Sequence, residues 1–180
     1  MKLGVVLHPE RGVDAVLHEA RLADQQGFDS VWLSDHLMGI RGEQTPSLPL
    51  DAFTLMTAVG AVTSRVRLAW NMLNFAFRTP PVLAKMLASL DHISHGRVIC
   101  SIGSGWFMEE YVAYGVHPLV EDHDERILQE REVIQLFREL WTHPAPERVT
   151  FEGKYVHAHE LPFNPAPYQR PHPPTQIGGC

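Results

Sequence analysis

Cysteine is nearly absent: 180 residues hold two, Cys100 and Cys180. Two cysteines cannot build a disulfide framework, and Cys100 lies inside an apolar run, so a reduced, intracellular compartment is expected. Basic charge is also scarce. Fifteen Lys and Arg stand against 21 Asp and Glu, a formal net charge of −6. That balance leaves no basic surplus for nucleic acid or for an anionic membrane surface. No window approaches the ~18 consecutive apolar residues that span a bilayer. The start, Met1 to Leu7, enters a short apolar run without the h-region and cleavage site of a signal peptide. A soluble, cytoplasmic protein is the expectation.

What is present is ample apolar material for one domain, 44% of the residues. It is distributed in alternation. Leu3–Leu7 is a short apolar run closed by Pro9. Val13, Val16, Leu17, Ala20 and Ala23 follow at helical spacing, with Gly27 where a left-handed C′ residue belongs. Phe28–Ser34 is a second strand. Asp51–Ser64 is an apolar helix with Asp51 as its N-cap. Val66–Trp70 is a third strand, and Thr79-Pro80 opens a helix through Val82, Leu83, Met86, Leu87, Leu90 and Ile93 that Gly96 closes. Val98–Ile102 is a fourth strand, and Asp122 or Asp124 caps a long helix from Ile127 to Trp141. Short apolar strands alternating with amphipathic helices predict a parallel sheet covered by helices, either doubly wound or closed into a barrel.

Residues 143–174 break the rhythm with eight prolines and no helical period. They read as an insertion in which Val149–Phe151 and Lys154–His157 flank a Glu152-Gly153 turn as a short hairpin. Pro173 to Gly179 then looks like a fifth strand ending in a glycine turn. The whole is expected to be one domain, 1–180. A buried strand cannot finish a fold, because its outer edge lacks partners for its backbone N–H and C=O groups. The expectation is therefore a chain truncated after about its fifth strand.

Ligands of parallel α/β folds bind at the carboxyl ends of the strands. Polar and glycine residues gather there: His8, Asp35-His36, Asn71, Gly103-Ser104-Gly105-Trp106 and Gly178-Gly179. Histidine titrates near neutrality, so His36 is the best candidate acid–base group; the alternative is that Asp35 caps a turn and His36 is loop surface. The glycine-rich turn at 103–105 would let backbone approach a ring or phosphate, or it is simply a tight turn. Glu109 and Glu110 are better explained by the preference of early helical turns for carboxylates than as a paired acid site. His92 and His95, and His157 and His159, lack a third ligand at convincing spacing, which argues against a metal.

Three stretches together resemble the luciferase-like monooxygenase superfamily. They are Ala20 to Leu37, Phe77 to Lys85 continuing through Leu90–Arg97, and Gly103-Ser104-Gly105-Trp106-Phe107-Met108-Glu109-Glu110-Tyr111, joined at the end by Pro171–Pro174 and Ile177-Gly178-Gly179. The resemblance implies the N-terminal half of a (β/α)8 TIM barrel that binds reduced FMN or the deazaflavin coenzyme F-420, acts on a small-molecule substrate and forms a homodimer at full length. It implies that Asp35 and His36 face the cofactor ring and that His36 is catalytic. It further implies a non-prolyl cis bond at Asn71–Met72 supporting the ring, with Gly103, Ser104, Trp106, Gly178 and Gly179 lining it. Two positions depart from particular members. Trp106 stands where the sugar-phosphate dehydrogenases of the group carry a catalytic glutamate. Gly103 stands where bacterial luciferases carry a cysteine. The Gly-Ser-Gly-Trp run looks closer to the F-420 users. Two other readings compete: a chain that binds no cofactor, and a barrel aldolase or isomerase, which would want a strand-end lysine that Lys85 and Lys154 do not provide.

Overall fold

The structure, a computed structural model, describes residues 1–39, 50–117 and 120–178. Strand β1 (Gly4–Val6) leads through a 3₁₀ turn into helix α1 (Val13–Gln26) and then β2 (Ser30–Leu33). Gly27 ends α1 in the left-handed region, at φ +83°, and its N–H donates to the Ala23 carbonyl. Only glycine takes that conformation without a Cβ penalty. Helix α2 (Ala52–Val62) is capped by Asp51, whose carboxylate accepts from the Thr54 N–H, and β3 (Arg67–Trp70) follows.

The third strand does not run straight on. It breaks at the Asn71–Met72 peptide, which is cis, and resumes as β4 (Leu73–Asn74). Helix α3 (Pro80–Ile93) begins with two prolines, β5 (Cys100–Gly103) comes next, and a short helix α4 (Met108–Ala113) precedes the long α5 (His123–Thr142). Asp122, not Asp124, caps α5 by accepting from the Glu125 N–H.

All pairings among β1, β2, β3, β4, β5 and the last strand, β8 (Thr175–Ile177), are parallel. β1 pairs β2 and β2 pairs β3; β4 pairs β5 and β5 pairs β8. A bridge from Leu68 to Val98 joins the two sets into one arc. Strand order thus follows chain order without reversal. A doubly wound sheet reverses at a switch point, so this arc is of the barrel type. Among the described residues β1 and β8 end the arc and do not pair with each other.

The proline-rich stretch carries an antiparallel hairpin, β6 (Arg148–Glu152) with β7 (His157–Pro162). Its second strand starts later than the alternation of residues suggests. The Glu132 carboxylate of α5 accepts from the N–H groups of Lys154, Tyr155 and Val156 at 2.8–3.1 Å. Those three amides are therefore used by a side chain and cannot join the ladder.

Val16, Leu68, Leu87, Val98, Phe137 and Trp141 lie in a core between the arc and its helices, at 1% exposure or less. Each such side chain contributes roughly 1.5–3 kcal/mol of burial. The indole N–H of Trp141 donates to the Ala84 carbonyl at 3.1 Å, which fixes α5 on α3 without an orphaned donor.

The N-terminal pole of the strands is closed by two charged side chains. Asp24, at the end of α1, accepts from the N–H groups of Ser64, Arg65 and Val66 and from the Ser64 hydroxyl. Burial pushes its carboxyl upward, but these bonds outweigh it and hold it below the usual carboxylate range. The Arg97 guanidinium donates to the carbonyls of Gly60, Thr63, Val66 and Ser94 and to the Thr63 hydroxyl. Asp24 fastens the end of α1 to the α2–β3 connection, and Arg97, just before β5, fastens the end of α2 to the approaches of β3 and β5. No helix among the described residues is long and apolar enough to cross a membrane.

Candidate active site

The C-terminal strand ends collect the residues singled out in the sequence, but not all of them face the same way. His8, after β1, turns to Glu10 in the adjacent 3₁₀ turn, with 2.9 Å between Nδ1 and Oε1, and stays on the surface. Asp35 and His36 leave β2 in different directions.

Asp35 is 4% exposed. Its Oδ2 accepts from Arg78 Nη1 at 2.8 Å and from the Asn74 N–H at 3.0 Å, and Oδ1 accepts from Arg78 Nη2 at 3.2 Å. Arg78 also donates to Asp51, the α2 cap, at 2.6 Å. Burial alone would lower the Arg78 guanidinium, yet the two carboxylates raise it above its ordinary value. Burial pushes Asp35 the other way, upward, against the pull of Arg78. We take the pair as ionised, because both Asp35 oxygens are occupied by N–H donors. Asp35 is thus brought to the strand ends but spends its carboxylate on holding β2, β4 and α3 in register. The resemblance gives it a ring-facing role; in the structure its carboxylate bonds Arg78 and the Asn74 N–H.

Behind the strand ends the cis bond lies where the resemblance implies it, between Asn71 and Met72. Met72 sits in a saddle made by two glycines on neighbouring strands. A Cβ on Gly103 would stand 2.9 Å from Met72 Cβ, and one on Gly178 would stand 2.9 Å from Met72 Sδ. Ser101 Oγ adds a contact to that sulfur at 3.4 Å. Met72, which follows the cis bond, therefore packs on Gly103 and Gly178 across neighbouring strand ends, and a side chain at either glycine would have to displace it. Gly179 lies outside the described residues.

Gly105 solves a second crowding problem. At φ +72°, a Cβ there would stand 2.6 Å from Asn74 Nδ2. That space belongs to a buried pair in which Asn74 Nδ2 donates to the Tyr111 hydroxyl at 2.8 Å. The hydroxyl in turn has two acceptors at 3.0 Å, Asn74 Oδ1 and the Ser104 carbonyl. Burial pushes the Tyr111 phenol up to about 12, so it remains a protonated donor at neutral pH. Ser104 is partly exposed, and Trp106 is 62% exposed.

His36 meets α4. Its Nδ1 lies 2.9 Å from Glu110 Oε1, while Glu110 Oε2 accepts from the Leu37 N–H at 2.9 Å. Glu110 is 1% exposed, and the His36 side chain 21%. The Trp106 ring stands edge-on to His36 at 5.9 Å, and that of Phe107 at 6.4 Å. The helix dipole does not account for Glu110, since its carboxylate is buried against the β2 end. Glu109, its neighbour, is exposed as that explanation requires. Arg78, Asn74 and Tyr111 are site-building residues that the sequence does not single out, and Glu110 is there assigned to the helix dipole. Arg78, Glu110 and Tyr111 lie inside the stretches that carry the resemblance, and Asn74 lies just before one of them.

The strand-end surface is distinct from a crevice of about 390 Å³ between the start of α3, α5 and the hairpin, lined by Arg78, Thr79, Gln129, Tyr155 and His157 among others. Arg78 there is already paired, and His36, Trp106, Gly103 and Gly178 do not line it. Among the described residues no group of three or more His, Cys, Asp or Glu side chains is placed to hold a metal ion. Cys100 is buried with its thiol pushed up to about 12, an inert core residue.

Comparison with known proteins gives a consistent picture. A family model described as luciferase-like monooxygenase matches residues 1–180. An F-420-dependent glucose-6-phosphate dehydrogenase of Kineococcus radiotolerans is 36% identical over 98% of this chain and 50% of its own length. The monooxygenase RslO1 of Streptomyces bottropensis superposes with a TM-score of 0.79 at 30% identity, over 98% of this chain and 53% of that one. An F-420-dependent secondary alcohol dehydrogenase, solved with an F-420–acetone adduct, superposes with a TM-score of 0.83 over 99% of this chain and 53% of that one; at 24% identity it speaks to the fold alone. The chain spans about half the length of these proteins.

Proposed function

The chain belongs to the luciferase-like monooxygenase family, and from that premise we propose that it forms the ring-facing part of a flavin-type oxidoreductase site. The cofactor is a reduced F-420 or FMN, with F-420 preferred, and the substrate is a small organic molecule. The observation that carries this reading is Met72, just after the Asn71–Met72 bond, packed on Gly103 and Gly178 at the same strand-end pole as the His36–Trp106 pair. Two glycines whose missing Cβ atoms leave room for a thioether offer a surface at the strand ends on which a planar ring can lie.

Met72 and Gly103 would support the ring from behind, and Ser104, Trp106 and Gly178 would border it. Such a group supplies two-electron chemistry when bound, hydride transfer with F-420 and, with FMN, oxygen insertion as well. The protein's own part is binding and proton control. His36 exchanges a proton with the substrate oxygen, which an imidazole can do near neutral pH. The Trp106 and Phe107 rings flank His36 and limit water on that side. Tyr111 stays protonated and structural. The sugar phosphate of the K. radiotolerans relative is not carried over, because Trp106 occupies the position the resemblance gives to the glutamate of those enzymes.

Titration of the purified chain with reduced and oxidised FMN and F-420, followed by cofactor fluorescence, tests the reading. Saturable binding of one of them supports it, and binding of neither contradicts it.

A further inference from the structure

We infer that Glu110 is a positioning residue: it fixes the His36 ring with its proton on Nδ1, so that Nε2 is the nitrogen at which the site exchanges protons. The inference rests on the acid–base role of His36 proposed above.

Glu110 offers two oxygens, and the Leu37 N–H, a group that can only donate, occupies Oε2. A buried carboxylate with one oxygen bound to a backbone donor presents its other oxygen as an acceptor too. Nδ1 of His36, 2.9 Å from Oε1, must then be the donor. In a neutral imidazole the proton on one nitrogen leaves the lone pair on the other.

The carboxylate is also held from behind. Helix α4 is fastened to three strand ends: Tyr111 bonds Asn74 and the Ser104 carbonyl, and the Tyr114 hydroxyl donates to the Leu37 carbonyl at 2.7 Å. Leu37 is therefore gripped through its N–H by Glu110 of α4 and through its C=O by Tyr114 just beyond that helix, and the Trp106 and Phe107 rings pack together against one side of His36. A carboxylate present only to answer the helix dipole would lie on the surface, as Glu109 does.

The test reads the tautomer directly. In the chain labelled with ¹⁵N-histidine, long-range H–N correlations at about pH 8–9, where an ordinary histidine is neutral, report which ring nitrogen is protonated. The His36 signals are assigned by their loss in His36→Gln. The expected result is Nδ1–H with an unprotonated Nε2. In Glu110→Gln the carboxamide must turn its oxygen to the Leu37 N–H, which places its NH₂ against Nδ1, so the tautomer inverts to Nε2–H. Turnover falls with it, on the order of 10²–10⁴-fold, the scale at which a wrongly held tautomer costs catalysis. An Nε2–H tautomer in the wild-type chain overturns the inference, and so does an unchanged tautomer in a Glu110→Gln chain whose amide spectrum is otherwise native. If that variant does not fold, the wild-type spectrum decides alone. Because the spectrum is read without cofactor, it is separable from the acid–base reading, which falls instead if His36→Ala keeps wild-type turnover.

Discussion

The two poles of the strand arc use buried charge in opposite ways. At the N-terminal pole Asp24 and Arg97 spend their hydrogen bonds almost wholly on backbone N–H and C=O groups of the α2–β3 and α3–β5 connections. At the C-terminal pole Asp35 gives two of its three hydrogen bonds among the described residues to the Arg78 side chain, and Glu110 divides its two between the His36 ring and one backbone N–H. Charge tied to backbone stiffens a connection and leaves nothing over for a ligand. Charge tied to a side chain aims that side chain. The difference explains why the same fold, with polar residues at both ends, presents a candidate site at only one of them.

The largest effect that would sharpen this contrast is at Arg97. Arg97→Met leaves buried carbonyls without donors and is expected to cost about 3–5 kcal/mol, read as a lowered denaturant midpoint or failure to fold. A loss under about 1 kcal/mol would break the comparison at that pole. His36→Ala should act first on function: turnover of the complete enzyme down by ~10²–10⁴, with a smaller loss of stability, about 1–3 kcal/mol, because the buried Glu110 Oε1 loses its partner. Next in size is Gly103→Ala. Its Cβ would meet Met72 at 2.9 Å, so it should cost roughly 1–3 kcal/mol by overpacking and weaken cofactor binding in the titration; unchanged binding would take Met72 out of the site.

The smallest effect is a pH dependence at Asp24. Its carboxyl sits below the ordinary range in the fold, so on acidification the unfolded chain takes up this proton first. The contribution is complete above about pH 4, the ordinary aspartate value, and is lost as pH falls through the folded one. Asp24→Asn should remove that acid limb from a plot of unfolding free energy against pH. An unchanged limb would assign it elsewhere.

Much of this was legible in the chain, and the reasons are local. The strand and helix alternation, the Gly27 and Asp51 caps and the strand-end clustering of polar residues follow from periodicities of two and 3.6 and from backbone chemistry. The resemblance supplied the Asn71–Met72 bond. What the chain did not disclose depends on rotation and on distant partners. Glu109 and Glu110 are equivalent in sequence, and only the seating of the six-residue α4 decides that one of them turns inward. Asp35 and His36 are adjacent, yet Arg78, 43 residues on, draws the first away. The hairpin starts late because Glu132, on another element, takes its amides.

The central claim is that the glycine-backed Met72 surface at the C-terminal pole receives a planar cofactor ring, and binding measured side by side in wild type and Gly103→Val tests it most directly. Titration with F-420 and with FMN should give saturable binding to the wild-type chain for one of them, weakened at least about tenfold in a Gly103→Val variant that stays folded, a discrimination of about 1.4 kcal/mol. Equal affinity in the two chains, or none in the wild type, would contradict the account.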